Sequence, residues 1–241
     1  MKFRRIVDLT RLLEPYSQGW GKDPDWGAED IEERLSIKGW IHPMDKTLQE
    51  DIYMWAHCGT HVECLYHLHK QGGDLSSIPL EGFCGEAVVI DLSFIGPGSA
   101  FKSYDFSGGN DMKASDMAGL EGKIMEGDIV LFHSGFKEPE SPMITLEVAE
   151  WLVKKRVKAV GLEGSSVKLS VPAHNFLLEN GVLEIAKLDK AGFQSLKKDR
   201  VFLVVSALRI KGLGASPARV IAFEEYVVYE LNDNPLAWER N

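Results

Sequence analysis

Residues 57–69 read His-Cys-Gly-Thr-His-Val-Glu-Cys-Leu-Tyr-His-Leu-His. The chain has 7 histidines, and His57, His61, His67 and His69 all fall here, with Glu63 among them. Imidazole nitrogens and carboxylate oxygens are the donors that hold a divalent cation. All five positions are odd-numbered, so on an extended strand the five side chains share one face. A helix would put the His57–His61 pair and the Glu63–His67 pair on roughly opposite sides, at about 100° per residue. The spacing therefore predicts an extended segment. A straight one is too long, since His57 and His61 would lie roughly 13 Å apart. Gly59 is where the chain can bend, because glycine adopts backbone angles that other residues avoid. The expectation is a metal clip. His57 and His61 supply imidazoles, Glu63 supplies a carboxylate, and one position stays open for water. The competing reading is a solvated histidine-rich loop. Against it, four polar rings buried without a shared purpose would be costly. Isolated histidines such as His133 read as ordinary hydrogen-bonded residues.

The elements that must position these groups are short. Ile6–Thr10 reads as a first strand, and Ile52–Ala56 as a strand running into the histidines. Further strands are expected over Ala87–Ile90, Asp128–Phe132, Lys158–Leu162, Val182–Leu188, Val201–Ser206 and Val220–Phe223. Thr145–Lys155 is the clearest helix. Thr145 can cap it, Glu147 suits its positive end, and Val148, Trp151 and Leu152 form its apolar face. Pro172–Asn180 is a second, with Pro in its first turn and Gly181 past its end. A short helix is expected over Lys113–Leu120. Residues 15–50 read as one long irregular loop, broken by glycine and proline and bearing Trp20, Trp26 and Trp40. Large aromatics there predict packing over a pocket or against another subunit. Residues 95–110 read as a loop. The fold class is α/β, strand-rich with a few short helices.

The 241 residues are compatible with one domain spanning 1–241, and 44% hydrophobic content is enough for a sizeable core. A formal net charge of −9 without a basic block argues against nucleic acid or an anionic membrane surface as partner. No run of about 18 apolar residues is present, so no transmembrane helix is expected. Cys58, Cys64 and Cys84 make an odd count, which suits reduced thiols in the cytoplasm. Cys58 and Cys64 occupy even positions and should point away from the site.

The run His57-Cys-Gly-Thr-His61-Val-Glu63-x-x-x-His67 resembles the HxGTHxDxPxH motif of the cyclase family of metal-dependent hydrolases. That family includes bacterial kynurenine formamidase and isatin hydrolase. The likeness extends through Pro79–Phe83, Ala87–Ser93, Gly127–Leu131 with Ser134-Gly-Phe, Val160–Val167 and Ala173-His174. It implies a swivelling β/β/α fold. It also implies that His174 is a ligand or a hydrogen-bond donor to one, that His67 is the general acid and base, and that Thr60 positions a ligand or the water. Trp20 lies where the family carries a pocket-lining stretch. Three positions depart from the pattern: Glu63 replaces Asp, Leu65 replaces Pro, and Ala186 stands where a second acid is expected. Glu184, two residues earlier, would share the face of residue 186 on a strand. Without that acid, one ion is favoured over two.

Two or three imidazoles with a carboxylate suit Zn²⁺, and a weaker or more open site admits Mn²⁺ as next choice. Metal-bound water would attack a small amide, an N-formyl arylamine or a cyclic amide, and the tryptophans would suit an aromatic substrate. A homodimer or larger homo-oligomer is expected. Two alternatives stay open: a non-catalytic homologue that binds a ligand or metal, and a metal-dependent lyase or cyclase.

Overall fold

Continuous apolar runs such as Ile129–Phe132 send alternate residues to opposite faces of one sheet, and both faces are buried. The computed structural model describes residues 4–14, 35–96, 111–136, 140–164 and 166–225. In chain order the elements are β1 (Arg5–Asp8), β2 (Leu35–Ile41), β3 (Leu48–Met54), β4 (His61–Glu63), β5 (Cys84–Asp91), β6 (Ile129–His133) and β7 (Met143–Ile144). After these come α1 (Leu146–Lys154), β8 (Ala159–Glu163), β9 (Lys168–Leu169), α2 (Val171–Glu179), β10 (Leu183–Leu188), α3 (Lys190–Ser195), β11 (Arg200–Ala207) and β12 (Ala215–Glu224).

Seven strands close into a ring, in the order β12-β11-β5-β6-β8-β10-β4 and back to β12. Strands β5, β6, β8 and β10 run parallel, and the other neighbours are antiparallel. One edge of β12 serves two partners: Ala215–Pro217 pair with β4, and Ile221–Glu224 pair with β1. Inside the ring pack Val62, Leu131, Ala159, Leu183, Ile185, Leu203 and Val220. Outside it, Val88, Val130 and Val160 lie beneath Leu152 of α1 and Leu177 of α2. Side chains alternate along a strand, so His61 and Glu63, which flank the inward Val62, belong to the outer face.

Both expected helices form where their end signals lie. Ser170 Oγ accepts from the Ala173 N–H at the start of α2, and Gly181 past its end has φ 76°. Thr145 occupies the cap position of α1 but does not cap with its side chain. Its hydroxyl donates instead to the Met112 carbonyl, at 2.6 Å. The helix expected before β6 is a 3-10 helix, Ala114–Leu120.

The expectation of one irregular loop over 15–50 is corrected from residue 35 onward. β2 and β3 form an antiparallel hairpin in which Ile37 faces Ile52 and Ile41 faces Leu48. These four make one face of the arm. Ser36, Lys38 and Trp40 make the other, opposite Tyr53, Asp51 and Gln49. The glycine and proline that suggested a loop are absorbed by an extended strand at Gly39 and by the connecting turn at Pro43. Trp20 and Trp26 lie outside the described residues.

Candidate metal centre

The extended segment expected over 57–69 is shorter than its spacing suggested. Only His61–Glu63 is strand; Leu65–His67 is a 3-10 turn. The chain bends at Gly59, with φ 59°, as the convergence of His57 and His61 requires. The single strand face is therefore replaced by a bend, a three-residue strand and a turn, which together gather His57, His61, Glu63 and His67. His69 is not gathered: it is exposed and lies 3.5 Å from Glu179.

Glu63 is the hub. Its Oε1 accepts from His57 Nδ1 at 2.7 Å and lies 2.9 Å from His61 Nε2. Its Oε2 accepts from His174 Nε2 at 2.9 Å, with His67 Nε2 at 3.8 Å. The imidazoles crowd edge to face. Centroids lie 4.6 Å apart for His57 and His67, 5.0 Å for His57 and His61, and 5.6 Å for His67 and His174. His174 reaches the cluster from the first turn of α2.

Glu184 completes the arrangement. On β10 it sits directly opposite Glu63, while Ala186 sits opposite His61. Its Oε2 is 3.4 Å from His174 Nε2, yet it is buried and has no hydrogen-bond partner among the described residues. An acid therefore faces the cluster from β10 two residues before the position where the sequence pattern placed one. The only signal for it was strand parity, and its approach to the histidines depends on a pairing between strands distant in sequence. Trp55, whose ring centroid lies 4.8 Å from that of His57, was passed over as a strand residue. It stands half-exposed beside the cluster.

Thr60 is buried, but its hydroxyl is turned to the backbone. It donates to the Lys187 carbonyl at 2.7 Å and accepts from the Arg11 N–H at 2.9 Å. The hydroxyl thus clamps the Gly59 bend to β10 and to the segment after β1. Cys58 and Cys64 are buried and not disulfide-bonded, and Cys64 Sγ donates to the Gly73 carbonyl. Burial, aided by the charges of Asp74 and Glu63, pushes the Cys64 thiol up. His133 ends β6 against the Phe193 ring, as a polar strand terminus should.

The residues fit a divalent cation on three grounds. First, His61 Nδ1 lies 2.7 Å from the Gly59 carbonyl, which can only accept, so that nitrogen carries the ring proton. A neutral His61 then turns a lone pair on Nε2 toward the Glu63 carboxylate, and a proton or a cation must stand between them. Second, His57, Glu63 and His67 form one triad of donor atoms and Glu63, His174 and Glu184 another, each within 4.8 Å. Donors about 2.1 Å from one ion lie roughly 3–3.4 Å apart, a spacing the cluster brackets. Third, the buried Glu184 oxygen has no hydrogen-bond partner among the described residues.

Electrostatics agree. Burial alone would raise Glu63, but hydrogen bonds from His174, His57 and His61 hold its carboxyl far below the usual range. Burial and then the charge of Glu63 push Glu184 up to about 8, with His174 opposing. Burial would lower His174, but the Glu63 hydrogen bond and the Glu184 charge raise it to about 9. His67 is lowered, first by burial and then by the neighbouring imidazoles, against the pull of Glu63. Metal-free, the cluster thus keeps protons near Glu184 and His174 at neutral pH.

The Cyclase family model matches residues 7–168. The kynurenine formamidase of Salinibacter ruber (strain DSM 13855 / M31) is 23% identical over 229 residues, spanning 90% of this chain and 96% of that protein. Isatin hydrolase A from Labrenzia aggregata, solved with benzyl benzoate bound, superposes with TM-score 0.70 at 24% identity, over 91% of this chain and 93% of that one. The structure of a potential metal-dependent hydrolase with cyclase activity gives TM-score 0.66 at 23% identity, over 92% of this chain and 99% of that one. These structural likenesses establish a shared fold, the strand-rich α/β arrangement expected from the sequence.

Proposed function

The chain belongs to the Cyclase family, and from that premise we propose that it hydrolyses a small amide with a divalent cation held by His57, His61, Glu63 and His174. The observation that carries the reading is Glu63 enclosed by imidazoles, with a buried second carboxylate directly across from it. Zn²⁺ suits this donor set first, and Mn²⁺ second. Glu184 stands in for the acid missing at Ala186, and the absence of that acid was the reason to favour a single ion. The two triads share Glu63, so His57, Glu63 and His67 would hold one ion and Glu63, His174 and Glu184 a second, or the combined set would hold a single ion.

When bound, the cation polarises the amide carbonyl and makes water acidic enough to attack near neutral pH. The rest falls to side chains of this protein. His61 keeps its orientation by donating Nδ1–H to Gly59. His67, its pKa lowered and its ring partly open to solvent, takes a proton on Nε2 and returns it to the leaving nitrogen. Thr60 holds the Gly59 bend in place from behind. The half-exposed Trp55 offers an aromatic wall beside His57, which suits an N-formyl arylamine or a cyclic arylamide. Trp20 is proposed as a second wall. The apolar arm face supports assembly as a homodimer or larger. The absence of disulfides supports a reducing, cytoplasmic setting. Among the described residues, no helix is long and apolar enough to cross a membrane.

The test pairs elemental analysis of wild type and His61→Ala with turnover of formyl and cyclic arylamides in ¹⁸O-water. The expected result is metal in the wild type only, and one labelled oxygen in the product. Equal metal in both proteins sinks the reading. Metal without turnover favours a binding protein, and turnover without label favours a lyase or cyclase.

A further inference from the structure

His67 has no long element to hold it. The 3-10 turn that carries it is three residues long, and none of the three is buried. Its position must come from what lies behind it, which is the connection between β11 and β12.

That connection is laid against the His67 segment by backbone. Cys64 N–H donates to the Gly214 carbonyl at 2.9 Å, and Leu75 N–H to the Leu213 carbonyl at 3.1 Å. Gly212 N–H donates to Asp74 Oδ2 at 2.7 Å. One residue further on, Ala215 pairs with Glu63 itself. The contact is closest at Gly214. A Cβ there would lie 2.6 Å from His67 Cα, 2.8 Å from the Tyr66 carbonyl carbon and closer still to the His67 nitrogen. Those are backbone atoms, so they cannot swing aside as a side chain would.

We propose that Gly214 is a positioning residue for His67: its bare Cα lets the β11–β12 connection seat the turn that aims the His67 ring at Glu63. The inference rests on the proton-transfer role proposed above. Glycine is required here for close approach, not for a special backbone angle. Any side chain at 214 pushes outward the turn that carries His67, whereas His57 precedes β4 and His174 is carried by α2. A misplacement of about 1 Å in a proton-transferring group costs on the order of 100-fold in rate.

The experiment compares Gly214→Ala with His67→Ala in the full protein. Gly214→Ala should keep the wild-type metal content and lower kcat by roughly 10–100-fold with KM within about twofold. It should also shift the His67 ring ¹H–¹⁵N correlation, read by NMR in metal-free and metal-loaded protein alike. A folded Gly214→Ala with wild-type kcat and an unmoved His67 signal overturns the inference. Failure of the His67 role itself looks different: His67→Ala would keep its kcat while the Gly214→Ala signal still moved. Should Gly214→Ala fail to fold, Asp74→Ala cuts the Gly212 tie without adding a Cβ. It should displace the same signal by less, and an unmoved signal there also overturns the proposal.

Discussion

The histidine–glutamate cluster and the β2–β3 arm depart from the usual sorting of residues in opposite directions. In the cluster, Glu63 and Glu184 are buried and face each other across two paired strands. In the arm, Ile41, Leu48 and Ile52 are 58%, 59% and 63% exposed along one face. Two carboxylates directly opposite repel, and burial amplifies the cost unless positive charge is shared between them. An exposed isoleucine forgoes roughly 1.5–3 kcal/mol that full burial would contribute. Each region is thus complementary to something beyond its own side chains, a cation for one and an apolar surface for the other. The cluster can make do with protons. The arm has no such substitute, so the two should respond to different perturbations.

The largest effect should come from Glu184→Gln, which keeps shape and removes charge. Metal affinity should fall roughly 10–100-fold, read by competition with a chelating dye. Unchanged affinity would reduce Glu184 to a bystander.

A smaller effect separates the proton-filled cluster from the metal-filled one. Glu184 and His174 both have folded pKa values raised above their unfolded ones, to about 8 and about 9. Their contribution is full below the unfolded values and lost as pH climbs through the folded ones. Metal-free protein should therefore lose thermal stability between about pH 6 and 9, and Glu184→Gln should shrink that slope. A flat melting temperature over this range would contradict the charge assignment.

The mildest change should be Ile52→Glu on the arm. On the proposal that copies join through this face, sedimentation should show the wild type associating and the variant as a single chain. Below the wild-type dissociation concentration, unfolding free energy should shift by no more than about 0.5 kcal/mol. An intact oligomer would separate the arm from assembly.

The sequence made the two regions legible to different degrees. His57, His61 and Glu63 could be read together because Gly59 was the one place a local bend could bring them into reach. His67 drew its proton-transfer role from the family motif and its place on the shared face from parity. Parity put it on a strand face, but the strand ends at Glu63 and a 3-10 turn delivers the ring instead. Parity failed outright for His69, which lies beyond that turn. Glu184 needed the register of β10 against β4, which no local pattern encodes. Of the arm, only the end of β3 was foreseen, within the strand expected over Ile52–Ala56, although Leu35, Ile37 and Ile41, then Leu48, Ile52 and Met54, alternate as strand residues do. Gly39 and Pro43 were weighed as loop signals ahead of that alternation. The helices were easier, because their end signals and apolar faces lie within a few turns of one another.

β4 is the shortest link in the seven-strand ring. Three residues join β10 to β12, and two of them, His61 and Glu63, point into the cluster. The hoop is thus fastened through the same peptide that presents the ligands. An ion gripped there would also tie β4 to α2 through His174, a rivet for the barrel. Chelation should therefore loosen the wall at this seam before it disturbs the staves on the far side.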